Sequence, residues 1–456
     1  MRIACVHIPQ FALQCVTRLD PSLRRAPVAV VGSGLDPSAG TVARVALHSP
    51  IVQACSRAAW ALGVRLGMTA SAARTLSADL RIVNADAQTE RETVRAIADV
   101  LLGAAATVDI GGRVGAGGAH LAMYADVPVK TRGASFGEKL VELLDELGLA
   151  ARIGIADDKF TAWVAASSPV PAGSTAGAHT AAEGANAWDR GVVSVPRGGS
   201  AAFLAPRPLG LLSISPEVQH MLEALGVRTL GEFAALPAPS VARPAVAAAG
   251  ADFQALARGD SGTQLRAYVP EASIREEVVT SDALGGPTAL AMLCGRLAAR
   301  RAGRNRNAAR LEIVISGAAG AAPRTIQHTL DDATADAAEL AESINAAIGD
   351  DGVPRGARVR AIVTGEGLPG VSGAAVASAD ELAAAPPTIN LVPAVLGVVL
   401  ANTGSQFETT FGAWSLTSPE ANHERPHRRM RRGKQRRRVT VAAVAGSAQS
   451  RLFGGD

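Results

Sequence analysis

Between residues 274 and 364 the chain reads strand, helix, strand, strand, helix, strand, and no other feature restricts its folding as tightly. Residues 274–279, 310–315, 324–330 and 358–364 read as strands, and 287–302 and 333–348 as helices. This β-α-β-β-α-β order is that of a split βαβ domain. The first helix and the turn after it carry Arg296, Arg300, Arg301, Arg304, Arg306 and Arg310. Such a cluster beside a sheet suits a phosphate backbone. A solvated charged face is the alternative.

The first 165 residues read as a mixed α/β layer. Residues 2–8 and 27–31 are expected strands. Residues 51–62 and 69–78 are expected helices, with Gly63 ending the first and Thr69 capping the second. Further strands are expected at 80–84 and 106–110. The amphipathic run 135–147 predicts a helix that stops at Gly148. A strand at 151–156 leads into a helix capped by Asp157 or Asp158. The stretch 167–188, rich in Gly, Ala, Pro and Ser, breaks the pattern as a linker does.

Beyond it, Ser215, Pro216 and Gly226 delimit one helix, and Thr229 with Glu232 forms a capping box for the next. Two short helices joined in this way are read as a helix-hairpin-helix. Gly226, Arg228 and Thr229 then stand where backbone N–H groups meet a phosphate. An ordinary helical hairpin is the alternative. After residue 366 the periodicity fades and the chain reads as linker.

The length of 456 residues suffices for two to four domains. Cys5, Cys15, Cys55 and Cys294 form no C-x-x-C pair, so neither a zinc site nor a disulfide framework is expected. Met1 leads straight into a strand, so no signal peptide is expected, and 389–401 is too short for a bilayer span and contains Pro393. A cytoplasmic protein with no membrane partner is the expectation. No metal-ligand spacing, Walker loop or nucleophile elbow occurs. The nearest approach to a catalytic acid is Asp109, and one carboxylate cannot hold two Mg²⁺ ions.

The positive charge is local. Residues 421–438 hold eight Arg, one Lys and one Glu, and the remaining chain carries 36 basic against 40 acidic side chains. So dense a run predicts a disordered tail suited to a polyanion. At the C-terminus, Gln449 and the Leu452–Phe453 pair make a polar-then-apolar anchor peptide suited to a partner pocket.

Together these pieces resemble a known family. "MRIACVHIPQFALQCVTRLDPSLRRAPVAVV" resembles the opening palm segment of Y-family translesion DNA polymerases. "ACSRAAWALGVRLGMTASAARTL" resembles their finger helices. "GIADDKFTAWVAASS" is similar to their palm helix, with Lys159 at its lysine. Residues 203–237 resemble their thumb, and "LARGD" (256–260) follows. The split βαβ unit falls where their little finger lies. The resemblance implies an α+β multidomain right hand: palm and fingers over 1–166, with fingers at about 20–80, then linker and helix-hairpin-helix thumb over 167–262. The little finger would occupy 270–365 and a mostly disordered tail 366–456, with its basic run at 425–438 and an anchor motif at 449–453.

The departures matter as much. Family members with activity carry Asp at the positions of His7 and Pro9, and an Asp-Glu pair on a second palm strand. Here one register leaves only Asp109, and another puts Gly118 and Ala119 at the pair. Ala12 replaces the aromatic residue that rejects ribose. Arg57 and Trp60 stand where Tyr and Arg hold the incoming triphosphate.

This pattern of loss resembles the ImuB subfamily of inactive polymerase-like proteins. The resemblance implies a non-catalytic scaffold in translesion synthesis and damage-induced mutagenesis, with no catalytic residue, no resident metal and no cofactor. Its implied partners are damaged primer-template DNA, the bacterial sliding clamp through Gln449, Leu452 and Phe453, an ImuA-type RecA-like accessory protein and an error-prone replicative-type polymerase. Many relatives continue past this motif, so an ImuA-type contact would move to 366–448. The alternative is a weakly active or unusual Y-family DNA polymerase using Mg²⁺, which the retained Lys159 keeps open.

Overall fold

Strand β1 (Ile3–Ile8) is buried at every residue, which is why its sequence is a continuous apolar run broken only by His7. The structure is a computed structural model, and it describes residues 1–32, 50–115, 118–168, 190–237, 250–261, 264–282, 284–317, 322–349, 352–367 and 377–378. The expected linker at 167–188 falls almost wholly outside these residues. So do the basic run 425–438 and the anchor residues Gln449, Leu452 and Phe453.

β1 is the centre of a five-stranded sheet. β6 (His120–Asp126) and β7 (Arg152–Ala156) flank it antiparallel, with β5 (Val108–Val114) and β8 (Gly191–Ser194) at the edges. Helix α1 (Phe11–Leu19) follows β1 directly. Helix α4 (Ala87–Leu102) packs on β5, and α5 (Gly133–Glu146) packs on β7 and β8. Helix α6 (Lys159–Ser167) lies against the face that carries Ile3 and Cys5. It approaches so closely that a Cβ on Gly154 would run into the Ala162 carbonyl, so only glycine fits there. The Asp158 carboxylate caps α6 by accepting from Thr161 N–H at 2.9 Å.

A small sheet has the order β3 (Ile51–Cys55), β2 (Val28–Gly32), β4 (Arg81–Asn84). Helices α2 (Arg57–Ala61) and α3 (Ala70–Arg74) cover one face through Ala59, Val64, Ala70 and Ala73. The helix expected at 51–62 is therefore divided. Residues 51–55 pair antiparallel with β2, and only 57–61 are helical. Five residues with β-branched Ile51 and Val52 bury alternate side chains as a strand, and the Ser56 cap starts the helix anew. Strands β6 and β8 were also not evident from local pattern.

Helices α7 (Ser200–Leu204), α8 (Pro216–Ala224), α9 (Leu230–Ala234) and α10 (Gly250–Ala257) share one core. In it Leu222, Leu230, Phe233 and Phe253 meet Phe160 and Val164 of α6.

The third sheet has β10 (Asn307–Ser316) between β11 (Arg324–Thr334) and β12 (Arg358–Gly367). Beyond β12 lies β9 (Ile274–Val279), and a short β13 (Ala377–Ser378) also pairs with β12. Helices α11 (Gly286–Arg304) and α12 (Ala337–Ile348) pack on one face through Leu290, Leu293, Leu297, Leu340 and Ile344. The element order is β-α-β-β-α-β. The first strand stands at the edge and the last beside it, as in a split βαβ sheet.

This third sheet is fastened to the first by buried charge. Arg300 Nε and Nη2 donate to Asp99 Oδ2 of α4 at 2.9 and 2.7 Å, and Nη1 donates to Glu276 Oε1 of β9 at 3.0 Å. Arg18 of α1 donates to the other Glu276 oxygen at 2.5 Å. Arg304 donates to Asp99 at 2.9 Å, and Tyr268 of the connecting segment donates its hydroxyl to Asp99 at 3.1 Å. Arg301 pairs with Glu366, and Arg296 donates to the Arg18 carbonyl at 2.9 Å. Burial pushes the Glu276 carboxyl up, but Arg18, Arg300 and Arg296 outweigh it and hold it below the usual range. α4 and α11 cross at small residues. A Cβ on Gly103 would lie 3.0 Å from Gly303 Cα, and one on Gly303 would strike the Asp99 carbonyl.

The expectation that the six arginines form a basic surface needs correction. Arg296, Arg300 and Arg301 are at most 1% exposed, and Arg304 is turned into the same network. The reason is that Arg300, Arg301 and Arg304 have carboxylate partners on α4, β9 and β12, while Arg296 donates to the Arg18 and Glu277 carbonyls, and these contacts offset the cost of burying the guanidinium groups. Arg306 is half-buried and Arg310 is exposed.

Candidate functional site

At the end of β1 the register fixes what surrounds His7. Its cross-strand partners are Ala122 on β6 and Arg152 on β7. The Ala122 position, rather than Gly118 or Ala119, is the one that faces His7. The His120 ring lies 5.1 Å from the His7 ring, tilted by 47°. Its Nδ1 accepts from Gln10 N–H at 3.1 Å. Gln10 adopts the left-handed conformation, with φ of 48°, which turns the chain from β1 into α1. Pro9 is buried, and its carbonyl accepts from Gln14 Nε2 at 2.8 Å.

The electrostatics here disfavour a cation. Burial lowers the His7 pKa to about 3, with His120 and Arg152 pushing the same way. His120 is lowered too, by burial and then by Arg113 and Arg152. Both rings are therefore neutral at pH 7, and the charged groups acting on them are arginines. A magnesium ion needs several oxygen ligands. Here the neighbours are two imidazoles, a proline, an alanine and an arginine, so the residues present do not fit a magnesium pair.

Asp109 lies across β6 from Cys5, since both pair with Tyr124. Its carboxylate is fully engaged. Oδ1 accepts from Gly111 N–H at 2.9 Å, and Oδ2 accepts from Lys159 Nζ at 2.6 Å and Arg266 N–H at 2.8 Å. The Lys159 ammonium also lies 4.8 Å from the Tyr124 ring centroid. Burial raises the Tyr124 and Cys5 pKa values well above their ordinary range. Lys159 and Asp109 thus form a satisfied ion pair on the α6 face. Among the described residues no group of three or more His, Cys, Asp or Glu side chains could hold a metal ion.

The positions expected to line a nucleotide pocket lie on three helices, α1, α2 and α6. Ala12 is buried between α1 and the small sheet, with Leu13, Val28, Val30 and Ala54. Arg57 and Trp60 are exposed on α2, and Lys159 begins α6, where it pairs with Asp109.

The hairpin between α8 and α9 keeps its own N–H groups. Glu232 accepts from Arg228 N–H at 2.7 Å and Thr229 N–H at 2.9 Å, and Gly226 N–H donates to the Glu223 carbonyl at 3.1 Å. The expected backbone phosphate cradle is filled by the Glu232 carboxylate, because the capping box draws it there. The Arg228 side chain remains exposed. On the third sheet, the face away from α11 and α12 carries Arg275, Arg310, Arg358 and Arg360, with Glu277 and Glu312 among them. Arg360 pairs with Glu277. The alternation R-V-R at 358–360 could have marked two of these in the sequence.

Comparison with known proteins gives three kinds of likeness. Residues 6–167 match the family described as IMS, impB/mucB/samB. DNA polymerase IV of Dehalococcoides mccartyi is 35% identical over 94 residues, which cover 20% of this chain and 20% of that protein. Among solved structures, a Y-family DNA polymerase chimera is similar at a TM-score of 0.44 and 17% identity, over 80% of this chain and 98% of the other. DinB from Sulfolobus solfataricus is similar at 0.41 and 16%, with the same coverage.

Proposed function

We propose that this chain, whose residues 6–167 match the impB/mucB/samB family, is a non-catalytic polymerase-like scaffold of translesion synthesis. One observation carries the reading. Where β1 would mount metal-binding carboxylates, His7 is neutral and flanked by His120, Ala122 and Arg152, while the Asp109 carboxylate, two strands away on β5, is held by Lys159 and two backbone N–H groups. A fold kept without its metal ligands is suited to holding DNA and partners in place. On this reading primer-template DNA meets the exposed arginines of the third sheet, the Arg228 hairpin and the basic run 425–438. The sliding clamp binds Gln449, Leu452 and Phe453, and an error-prone polymerase with a RecA-like accessory protein joins the assembly. Titration of the full chain with Mn²⁺, followed by the spectrum of the free ion, tests the core of it. No site that Asp109→Asn removes is expected; such a site would overturn the reading.

A weakly active polymerase is the second reading, and the lysine retained at position 159 favours it. A crystal grown with nucleotide and metal, with no metal near residues 7–9 and 109, would end it.

A further inference from the structure

The outer side of the small sheet carries a patch to which the scaffold reading gives no task. Trp60 is 49% exposed, and Leu62, Leu66 and Leu76 around the α2–α3 turn are 37–40% exposed. Trp60 is not loosely placed. Ser56 Oγ accepts from Ala59 N–H at 3.2 Å and from Val28 N–H at 2.9 Å, which anchors α2 to β2. The Arg65 guanidinium lies 4.0 Å from the indole centroid. It is fixed there by Nη1, which donates to the Trp60 carbonyl at 2.7 Å and the Val64 carbonyl at 2.9 Å. The segment that carries it is mainly basic. Residues 51–84 contain Arg57, Arg65, Arg74 and Arg81, against the single acid Asp79.

We infer that Trp60 and Arg65 form a stacking platform for a base of an unpaired DNA strand. The chemistry is that of aromatic platforms on single strands: every base has a π-face, and arginines beside the ring meet the phosphates. Trp and Arg also anchor protein interfaces, so a protein surface is the competing use, and the excess of arginine over acid in this segment is what favours a polyanion. The inference rests on the DNA-binding reading above and adds a ligand class and a place to it.

The test uses the full chain and two fluorescently labelled probes of equal length, an oligo-dT single strand and a duplex. Trp60→Ala is expected to lower single-strand affinity about 5- to 100-fold, with the duplex nearly unaffected, and Trp60→Phe to retain most of the binding. Quenching of tryptophan emission by the single strand is expected to be smaller in Trp60→Ala than in the parent chain, since Trp163, Trp188 and Trp414 are common to both and the difference reports Trp60 itself. Unchanged single-strand binding with persistent quenching would overturn the inference and leave the DNA-binding reading standing. Loss of clamp capture in Trp60→Ala with DNA binding intact would overturn it likewise, in favour of a protein surface. A parent chain that binds neither probe would remove the scaffold reading itself.

Discussion

His7 is a buried base with a proton affinity set by its surroundings. Its pKa is about 3 in the folded chain, against about 6.5 when unfolded. The unfolded chain therefore binds the extra proton between these values, and folding stability falls as pH drops through that window. At pH 5 the loss from this residue is about 2 kcal/mol. Urea unfolding at pH 7 and pH 5 should show His7→Leu losing less stability than the parent by that amount. Equal losses would contradict the burial argument. Lys159→Met should cost about 3 kcal/mol at pH 7, because it leaves Asp109 buried without its cation. The absence of oxygen ligands at positions 7 and 9 was legible in the sequence. That His120 joins His7 was not, because it depends on the pairing of β6 with β1 between residues 113 positions apart in sequence.

At the scale of elements, the fastening of α11 to α4 carries most weight. Asp99→Ala or Arg300→Met alone should destabilise the chain by about 3–5 kcal/mol, since each strands a buried charge. The double substitution should cost less than the sum, because the two side chains share one interaction. Purely additive losses in urea unfolding would show that the network contributes nothing as a unit. The strands and helices of the third sheet were readable from periodicity. The burial of its arginines was not. Arg296, Arg300 and Arg304 recur every four residues, the spacing of a solvated stripe as much as of an interface. The groups that receive them, the carboxylates of Asp99, Glu276 and Glu366 and the Arg18 carbonyl, lie on other elements. The five residues of β3 were misread for a related reason: a short apolar run has no period of its own until a neighbour pairs with it.

At the scale of the whole molecule, the account separates holding DNA from acting on it. Leu452→Ala with Phe453→Ala should abolish capture by the sliding clamp and leave DNA affinity nearly unchanged. Capture that survives would remove the clamp from the proposal. DNA affinity should fall steeply with salt whichever surface dominates, since it rests on phosphate contacts. The central claim is that the body persists without its chemistry, and primer extension with Mg²⁺ and with Mn²⁺ tests it most directly. The account predicts no templated incorporation above a His7→Ala control with either metal. Templated incorporation above that control would contradict it.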